Sequence, residues 1–591
     1  MTAEAERLAS RTVKNNKQEQ INPEQNLISG FFRKFHLPLF IIFFSIFFWL
    51  IALPGARTSG IDGDEAKHAH MAMNLADGTD LPLYYGYKVR IFGRDITYTV
   101  LSDYEIGLHS LLLVPVFYLF GSGVFSVKLF SVFISWAFLL LLFLLLRKYL
   151  NFFIGALTVI LTALSPVFIH AVRIGFFHQE ILINLLLLLS AAFMIIYRKN
   201  GKTLFFWAAA FTAGLSLNTK LSVTARFFGV AAATLFLYRG VVWKWVSGEK
   251  KMRIALAAVF FAAGSFLFIH SNLVRGGGSF KLAHSVFIRG EDTYAGRRAG
   301  EYLSNLSLRF SQMVDMIREN SYDMTTDTMV LRLKTGRTLA LFLTGGFFLS
   351  FAVNPLVVFF RWDKKKKRVF YFINITYLLM FLLSAISPGS LRRAHMYILF
   401  PFFQFTVAVF IYNLGKYSGK TGVMLALGIA AAIPYTAELR RYLKEHNESG
   451  GAIIGSPATD DFIRYLKANE PNPIFTLCHS TLAHDSIPFL TGGFTPQVNQ
   501  ALAFYILELE RRREPFNSTG YINIIHKEFR YIDKAYILDN IHTSRHPLPE
   551  VRELVFNTLK ETGFEVKTRK TFRDNSGNPL YGLTKIYREK T

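Results

Sequence analysis

Residues 124–146 read VFSVKLFSVFISWAFLLLLFLLL, a nearly uncharged run. A helix that spans a bilayer needs about 20 consecutive, predominantly apolar residues, so the run is long enough to cross. Four other stretches have a comparable length and few charges: Phe35–Pro54, Phe152–His170, Ile181–Tyr197 and Phe370–Ser387. Together these runs predict a polytopic membrane protein, with the first of them kept as an anchor.

The composition of the chain limits its partners. Of its 591 residues, 51% are hydrophobic and 18% are charged, and the formal net charge is +25. In a membrane protein such an excess of Lys and Arg lies largely in cytoplasmic loops or against anionic lipid. Membrane lipids are therefore expected partners. Nucleic acid is not, because no basic soluble segment with interleaved aromatic residues stands apart from the membrane-facing charge.

The single cysteine, Cys478, excludes an internal disulfide and a cysteine-based metal site. It follows the apolar run Pro473–Leu477, and we interpret it as a buried strand residue.

Basic clusters follow alternate apolar runs, at Arg33–Lys34, Arg147–Lys148, Arg198–Lys202, Arg239–Arg253 and Arg361–Arg368. If all five face the cytoplasm, a single threading of the chain results. It has about eleven spanning helices, at 36–54, 124–146, 152–170, 180–197, 203–219, 222–239, 254–272, 338–360, 369–388, 395–413 and 421–436. The apolar stretch Leu108–Phe120 must then not cross, and it is too short to do so.

This threading divides the chain into three parts. A cytoplasmic tail, 1–35, precedes an all-α transmembrane bundle, 36–436. The bundle has large outer loops at 55–123, with two short interfacial helices, and at 273–337. The segment 437–591 is predicted to be a small α/β domain on the extracytoplasmic side. There, helix patterns at Ala458–Ala468, Gln500–Arg513 and Glu550–Thr562 alternate with strand patterns at Ile474–Leu477, Ala535–Leu538, Phe564–Thr568 and Gly582–Tyr587.

The second large outer loop, 273–337, contains an amphipathic stretch, Glu301–Arg318. It either covers a site at the membrane surface or is an interfacial helix without a ligand; the sequence leaves both open.

Acidic side chains lie at the predicted outer ends of two helices. Residues 62–70 read DGDEAKHAH directly after the first apolar run. If a helix begins near Asp64, then Asp64 and His68 share one face, with Glu65 beside them. Arg173 and Glu180 lie before the fourth predicted span. Both acids could also be ordinary helix caps, since acids are favoured at helix N-termini.

Cations on the predicted outer side form a second group: Lys220, Arg226, Arg392 and Arg393, with His395 beside the last two. Lys and Arg are disfavoured on the outer side of membrane proteins, so cations kept there predict the binding of an anion. A phosphate is the natural candidate. The alternative is that they reach lipid phosphates in the headgroup layer. Glu65, His68 and His178 could also bind a divalent metal ion.

With these features in view, the chain resembles the GT-C superfamily of polyprenyl-phosphate-dependent glycosyltransferases, in the branch of protein O-mannosyltransferases and the lipid A aminoarabinose transferase. The resemblance covers about 36–415. The segments that carry it are the Asp64-Glu65 pair within 63–72, FYLFGSGVF at Phe117–Phe125, Arg173 to Glu180, Asn218-Thr219-Lys220, and RAHMYILFP at Arg393–Pro401.

The resemblance implies a catalytic base at Asp64 and a site acid at Glu180. From the residues themselves we add Glu65 to the catalytic group, and we predict that His68, Arg173 and the outer cations bind substrate. It also implies a donor that carries a monosaccharide on a polyprenyl monophosphate, and inversion at that sugar. The acceptor, a hydroxyl of a glycolipid, a polysaccharide or a protein, is left open. The enzyme would lie in the inner or plasma membrane, with its site on the extracytoplasmic side.

Two departures from the family pattern matter. Relatives often have a Lys-Pro pair where this chain reads TVLSDYE at Thr99–Glu105. Relatives also commonly have Asp at the position of Glu180. The Trp-Trp-Asp signature of oligosaccharyltransferases is absent, which argues against transfer of whole glycans from a diphosphate.

Other functions remain open at this stage. A transporter or flippase of lipid-linked sugars would need polar groups at the bilayer midplane and usually an internal repeat. An O-antigen ligase or polymerase would lack the acid pair after the first helix.

Overall fold

The structure is a computed structural model. It describes residues 23–54, 63–78, 85–91, 94–102, 105–174, 178–249, 251–284, 302–318, 337–385, 399–449, 457–469, 474–477, 498–499, 501–502, 517–540, 549–573 and 579–588, with single residues at 472, 505 and 577. The chain divides into two compact units, one ending at Ile51 and the other beginning at Ala52.

Helix α1 (Pro23–Ala52) begins inside the segment that was predicted to be a tail. Its apolar part, His36–Ala52, coincides with the first predicted span.

The segment between the first two predicted spans contains two helices, as predicted, and a sheet that the sequence did not predict. Helix α2 (Gly63–Asp77) is followed by the strands β1 (Tyr85–Ile91), β2 (Arg94–Ser102) and β3 (Glu105–Ile106), and then by α3 (Leu108–Phe120). The strands form an antiparallel sheet in the order β1-β2-β3, with Tyr87 opposite Tyr98. The Tyr98 hydroxyl and His270 Nδ1 share a hydrogen bond of 2.5 Å, and this bond ties the sheet to the bundle.

Each of the remaining predicted spans overlaps one or two helices, and 386–388 and 395–398 of two spans lie outside the described residues. Before the second large outer loop these helices are α4 (Val124–Tyr149), α5 (Phe152–Leu164), α6 (Pro166–Ile174), α7 (His178–Asn200), α8 (Thr203–Leu217), α9 (Val223–Gly248), α10 (Lys251–Gly264) and α11 (Phe266–Val274). That loop contains two helices that are not predicted spans, α12 (Gly278–His284) and α13 (Tyr302–Ile317). After the loop come α14 (Arg337–Arg361), α15 (Lys364–Ser384), α16 (Phe402–Tyr417) and α17 (Thr421–Ser449).

Five helices of the described chain are long and apolar enough to span a membrane: Val124–Tyr149, Gln179–Asn200, Ala340–Arg361, Lys364–Ser384 and Thr421–Lys444. The pairs α5/α6 and α10/α11, each bent by 64°, bring the number to seven if each pair is one span. The other predicted spans are α1, α8, α9 and α16. They are helices, but their crossing of the membrane stays a prediction.

Small residues let two helices of the bundle approach closely. A Cβ added to Gly214 on α8 would lie 2.2 Å from the carbonyl oxygen of Phe261, and one added to Gly264 on α10 would lie 2.2 Å from that of Phe211. Backbones that pack this closely are typical of helix crossings in membranes. Just beyond this crossing, the Asn218 side chain donates to the Gly264 carbonyl at 2.5 Å, and the Asn218 backbone carbonyl accepts from Leu108 N at 3.2 Å. Asn218 thus fixes the start of α3 against the bundle.

The C-terminal segment has a five-stranded sheet in the order β5-β4-β6-β8-β7. The strands are β4 (Ile474–Thr476), β5 (Val498–Asn499), β6 (Lys534–Asn540), β7 (Phe564–Arg573) and β8 (Pro579–Arg588), and the helices are α18 (Pro457–Ala468), α19 (Ser518–Phe529) and α20 (Pro549–Glu561). Strands β5, β4 and β6 are parallel, and β8 is antiparallel to both of its neighbours. The core includes Phe475, Ile525, Phe529, Ile537 and Val555.

The α/β character of this segment matches the prediction, but α19 and β5 were not predicted. Most of Gln500–Arg513, predicted as a helix, and Cys478 lie outside the described residues.

Candidate active site

Glu65 forms a buried ion pair with a residue that the sequence did not single out. Its Oε2 lies 2.7 Å from Lys128 Nζ, and both side chains are completely buried. Glu65 is on α2 and Lys128 is on α4, so the pair joins the first outer segment to the bundle. Breaking such a pair leaves an uncompensated buried charge, which makes it a strong constraint on the position of α2.

His68, one turn along α2, connects three elements. Its Nδ1 is 3.2 Å from Ser110 Oγ on α3, and its Nε2 contacts the side-chain amide of Gln179 on α7. The His68 ring also packs edge-on against His109, with ring centroids 5.3 Å apart. His68 and Gln179 are almost fully buried. This bridge places the helix that carries Asp64 and Glu65 next to the start of α7, where Glu180 lies.

Glu180 is the centre of a second buried network. Arg226 Nη2 donates to Glu180 Oε2 at 2.6 Å, and the Ser222 hydroxyl donates at 3.0 and 3.2 Å to the two carboxylate oxygens. Arg226 Nε also donates to Asn184 Oδ1 at 2.8 Å. Glu180 and Arg226 were predicted in different roles, as a site acid and as an anion-binding cation. The structure places them in contact with each other, between α7 and α9.

Arg173 is 2% exposed, near the end of α6. Its neighbour Val172 accepts a hydrogen bond from Ser131 Oγ at 3.0 Å, one turn beyond Lys128 on α4. His170, one turn earlier on α6, pairs with Tyr442 Oη of α17 at 3.1 Å. The bond between Ser131 and Val172 joins the part of α4 that carries Lys128 to the part of α6 that carries Arg173.

The other predicted site residues are described only in part. Lys220 is half-buried and follows Asn218 and Thr219, whose carbonyls accept from Leu108 N and Ile106 N. Asp64 lies in the first turn of α2, but its side chain, like that of His178, is outside what the structure describes. Arg392, Arg393 and His395 lie wholly outside it.

No group of three or more His, Cys, Asp or Glu side chains is placed to hold a metal ion in the described part of the chain. Glu65 turns toward Lys128, and both ring nitrogens of His68 are engaged, one by Ser110 and one by Gln179. As they stand, these two residues do not fit a shared metal site, because His68 would first have to release one of its contacts. The ligand set Glu65, His68 and His178 remains a prediction, since the His178 side chain is not described.

Three residues of this region escaped the sequence analysis: the buried Lys128 and Gln179, and the half-buried Ser222. A signal existed for Lys128, because a single charge in a long apolar run needs a partner inside the protein. The only signal for Gln179 is that it precedes Glu180 in the sequence, and the only signal for Ser222 is that it follows Lys220 by two residues.

A comparison with models of known protein families gives no match, and neither does one with curated protein sequences. Solved structures do match over almost the whole chain. ArnT from Cupriavidus metallidurans bound to undecaprenyl phosphate aligns with a TM-score of 0.56 and 12% identity, over 92% of this chain and 97% of that one.

Two structures of the Archaeoglobus fulgidus oligosaccharyltransferase also match. AglB in complex with an inhibitory peptide and a dolichol-phosphate has a TM-score of 0.52 and 12% identity, over 93% of this chain and 74% of that one. A complex with zinc and sulfate has a TM-score of 0.52 and 11% identity, over 92% and 72% of the two chains. The sequence-based resemblance is therefore confirmed at the level of the fold: the chain is a multi-pass membrane protein with the GT-C architecture.

Proposed function

We propose that the chain is a membrane glycosyltransferase that moves a monosaccharide from a polyprenyl monophosphate to a hydroxyl acceptor. The fold supports this proposal, because one protein that shares it was crystallised with undecaprenyl phosphate. The observation that carries it is the convergence of two buried acids from separate outer segments, Glu65 and Glu180, each held by a cation and linked through His68 and Gln179. Buried charges within a membrane protein are costly and mark functional sites by default.

The reaction needs a base for the acceptor. In the proposed mechanism the acceptor oxygen attacks the anomeric carbon while its proton passes to the Asp64 carboxylate. The bond between that carbon and the phosphate oxygen breaks on the opposite face, and its electron pair leaves with the polyprenyl phosphate. A single displacement of this kind inverts the configuration of the sugar. The ion pair between Glu65 and Lys128 fixes the helix that carries the base.

The leaving phosphate gains negative charge as the bond breaks, so fixed cations nearby stabilise the transition state. Lys220, Arg392 and Arg393 are the proposed phosphate contacts, with Arg173 as a buried contribution to the local positive field. Arg226 is engaged by Glu180, and we assign it the placement of that acid. A divalent ion at Glu65, His68 and His178 has no part in this mechanism, because Glu65 is engaged by Lys128 and the two ring nitrogens of His68 are engaged by Ser110 and Gln179.

The proposal places the site at the outer face of the inner or plasma membrane, where lipid-linked sugars meet envelope acceptors. Mass spectrometry of envelope glycolipids, glycans and glycoproteins should therefore show one class losing a single sugar residue when the gene is deleted. The wild-type gene should restore that class, and the gene for Asp64→Asn should not. An unchanged envelope, or full restoration by Asp64→Asn, would contradict the proposal.

A further inference from the structure

Helix α13 of the second outer loop turns its polar side inward. Asn305, Arg309 and Gln312 recur at the spacing of one helix face, and all three are buried, Arg309 completely. On the opposite side, Leu303 is 78% exposed and Phe310 is 47% exposed, with the exposed serines Ser304, Ser307 and Ser311 beside them. Large exposed apolar side chains opposite buried polar ones are the reverse of what a helix on a water-soluble surface shows. The exposed apolar residues are expected where lipid chains border the helix, and the buried polar side chains are left to be explained.

The inward polar side is costly unless its groups are hydrogen-bonded. Arg309 donates to Gln312 Oε1 at 2.9 Å and to the Ser384 carbonyl at 3.3 Å, and burial lowers its pKa to about 10, so it remains charged at neutral pH. Asn305 is 1% exposed, and no described group accepts from its Nδ2. A buried amide donor without an acceptor in the described protein points to a ligand that supplies one.

The position of α13 is fixed by the end of α15. The Tyr302 hydroxyl donates to the Leu382 carbonyl at 3.3 Å, and Arg309 reaches the Ser384 carbonyl. Helix α15 also packs closely against α9, the helix that carries Arg226: a Cβ added to Gly229 of α9 would lie 3.1 Å from the Thr376 carbonyl oxygen of α15. Helix α15 therefore contacts both α13 and the helix that holds Glu180 through Arg226. The chain that follows α15 carries Arg392 and Arg393.

A simpler role for Arg309 is to cap α15, since cations are favourable beside the last carbonyls of a helix. That role explains the contact with Ser384. It does not explain why Asn305 and Gln312, one turn to either side on the same helix face, are also turned inward and buried.

We propose that Asn305, Arg309 and Gln312 form a binding site for the hydroxyl groups of the sugar that the donor carries. This inference rests on the proposed function and adds the element that recognises the sugar. The side-chain amides and the guanidinium supply fixed donors, and Gln312 also supplies an acceptor, which is the mixed set that sugar hydroxyls require. The phosphate of the donor would be held by other residues, so α13 would discriminate between sugars without affecting the lipid or its phosphate.

The test separates the sugar from the lipid. The full-length protein in nanodiscs is titrated with undecaprenyl phosphate and with undecaprenyl phosphate carrying mannose, glucose, galactose or arabinose. For the sugar that the wild type prefers, Asn305→Ala should weaken binding about three- to tenfold, the value of one neutral hydrogen bond. Binding of bare undecaprenyl phosphate should be unchanged. Ser307→Ala, an exposed position on the same helix, is the matched control and should change neither.

Gln312→Met, which keeps the side-chain volume, is a second variant that should show the same selective loss if Asn305→Ala does not fold. Equal weakening for bare and sugar-bearing lipid, or none for either, would overturn the inference while leaving the proposed function in place. If the wild-type protein bound neither kind of lipid, the proposed function would fail and this inference with it.

Discussion

The two buried ion pairs of the candidate site differ in how the cation is held. Arg226 meets Glu180 as part of a network: its guanidinium also reaches Asn184, and Ser222 donates to the same carboxylate. Lys128 reaches Glu65 at the end of a flexible stem and presents a compact charge. A guanidinium fork fixes geometry, whereas an ammonium fixes mainly charge.

The elements that each pair joins make the difference informative. Glu180 and Arg226 connect α7 and α9, two helices of the bundle. Glu65 and Lys128 connect the bundle to α2, a helix of the first outer segment that carries the proposed base. We infer that the Glu180 network keeps the bundle in register, while the Glu65 pair holds the base at the required depth. The following variants would break or sharpen that comparison.

The largest expected effect is on turnover. Removing a positioned base costs about 10²–10⁴ in rate, so Asp64→Asn should lose nearly all sugar transfer while expression and folding are kept. Asp77→Asn, at the exposed end of the same helix, is the control and should transfer normally. If Asp64 were only a helix cap, its loss would cost about 1 kcal/mol of stability and little activity. Turnover within a few-fold of wild type in a steady-state assay would support the cap.

Lys128→Met should have the largest effect on stability. It leaves Glu65 buried without the cation, a change that typically costs about 3–5 kcal/mol. Thermal unfolding in detergent should show this as a marked loss relative to Lys148→Met, an exposed position on the same helix. The double variant Glu65→Gln with Lys128→Met should recover most of the loss. Equal stability of the wild type and the single variant would mean that the pair does not hold α2.

Arg226→Lys should have a smaller effect, because it keeps the charge and loses the bond to Asn184. A hydrogen bond to a charged group contributes roughly 1.5–3 kcal/mol, so the loss should be less than that for Lys128→Met. The same unfolding measurement checks it, with the exposed Arg239→Lys on α9 as the control. A loss as large as that for Lys128→Met would show that geometry matters as much as charge at this pair.

Replacement of the exposed Asp363 should have the smallest effect on stability, and it gives a reference for the larger losses. The Asp363 side chain caps α15 by accepting from Lys365 N and Lys366 N, and Asp363 also pairs with Lys366 at 3.7 Å. Asp363→Ala should cost about 1 kcal/mol or less, and Asp363→Asn, which can still cap, a smaller amount.

The hydrogen bond from the Lys366 backbone lowers the pKa of Asp363. The stability that this group contributes is therefore full above its unfolded pKa, about 3.9, and is lost as pH falls through the lower folded value. The difference in unfolding temperature between wild type and Asp363→Ala should disappear in acid. A difference that persisted at low pH would contradict this assignment.

The helices were predictable because long apolar runs have few alternatives in a membrane protein. The sheet β1-β2-β3 was not predicted, although the alternation of Ile96, Tyr98 and Val100 with threonines in β2 is a strand signal. The contact between Glu65 and Lys128 joins residues 63 positions apart, and the one between Glu180 and Arg226 joins residues 46 apart. Local spacing cannot reveal such contacts. That is why Arg226 was expected to face an anionic ligand and Lys128 was given no role.

The proposed function is tested most directly by the release of polyprenyl phosphate. The purified full-length protein is mixed with undecaprenyl-phosphate sugars and an envelope lipid extract, and the products are separated by mass spectrometry. We expect free undecaprenyl phosphate to appear in equal amount with an acceptor that has gained one sugar, and neither product to form with Asp64→Asn. If the sugar stayed on its lipid with every donor and acceptor fraction, while the protein moved that lipid across a vesicle membrane, the chain would be a transporter and the glycosyltransferase proposal would be wrong.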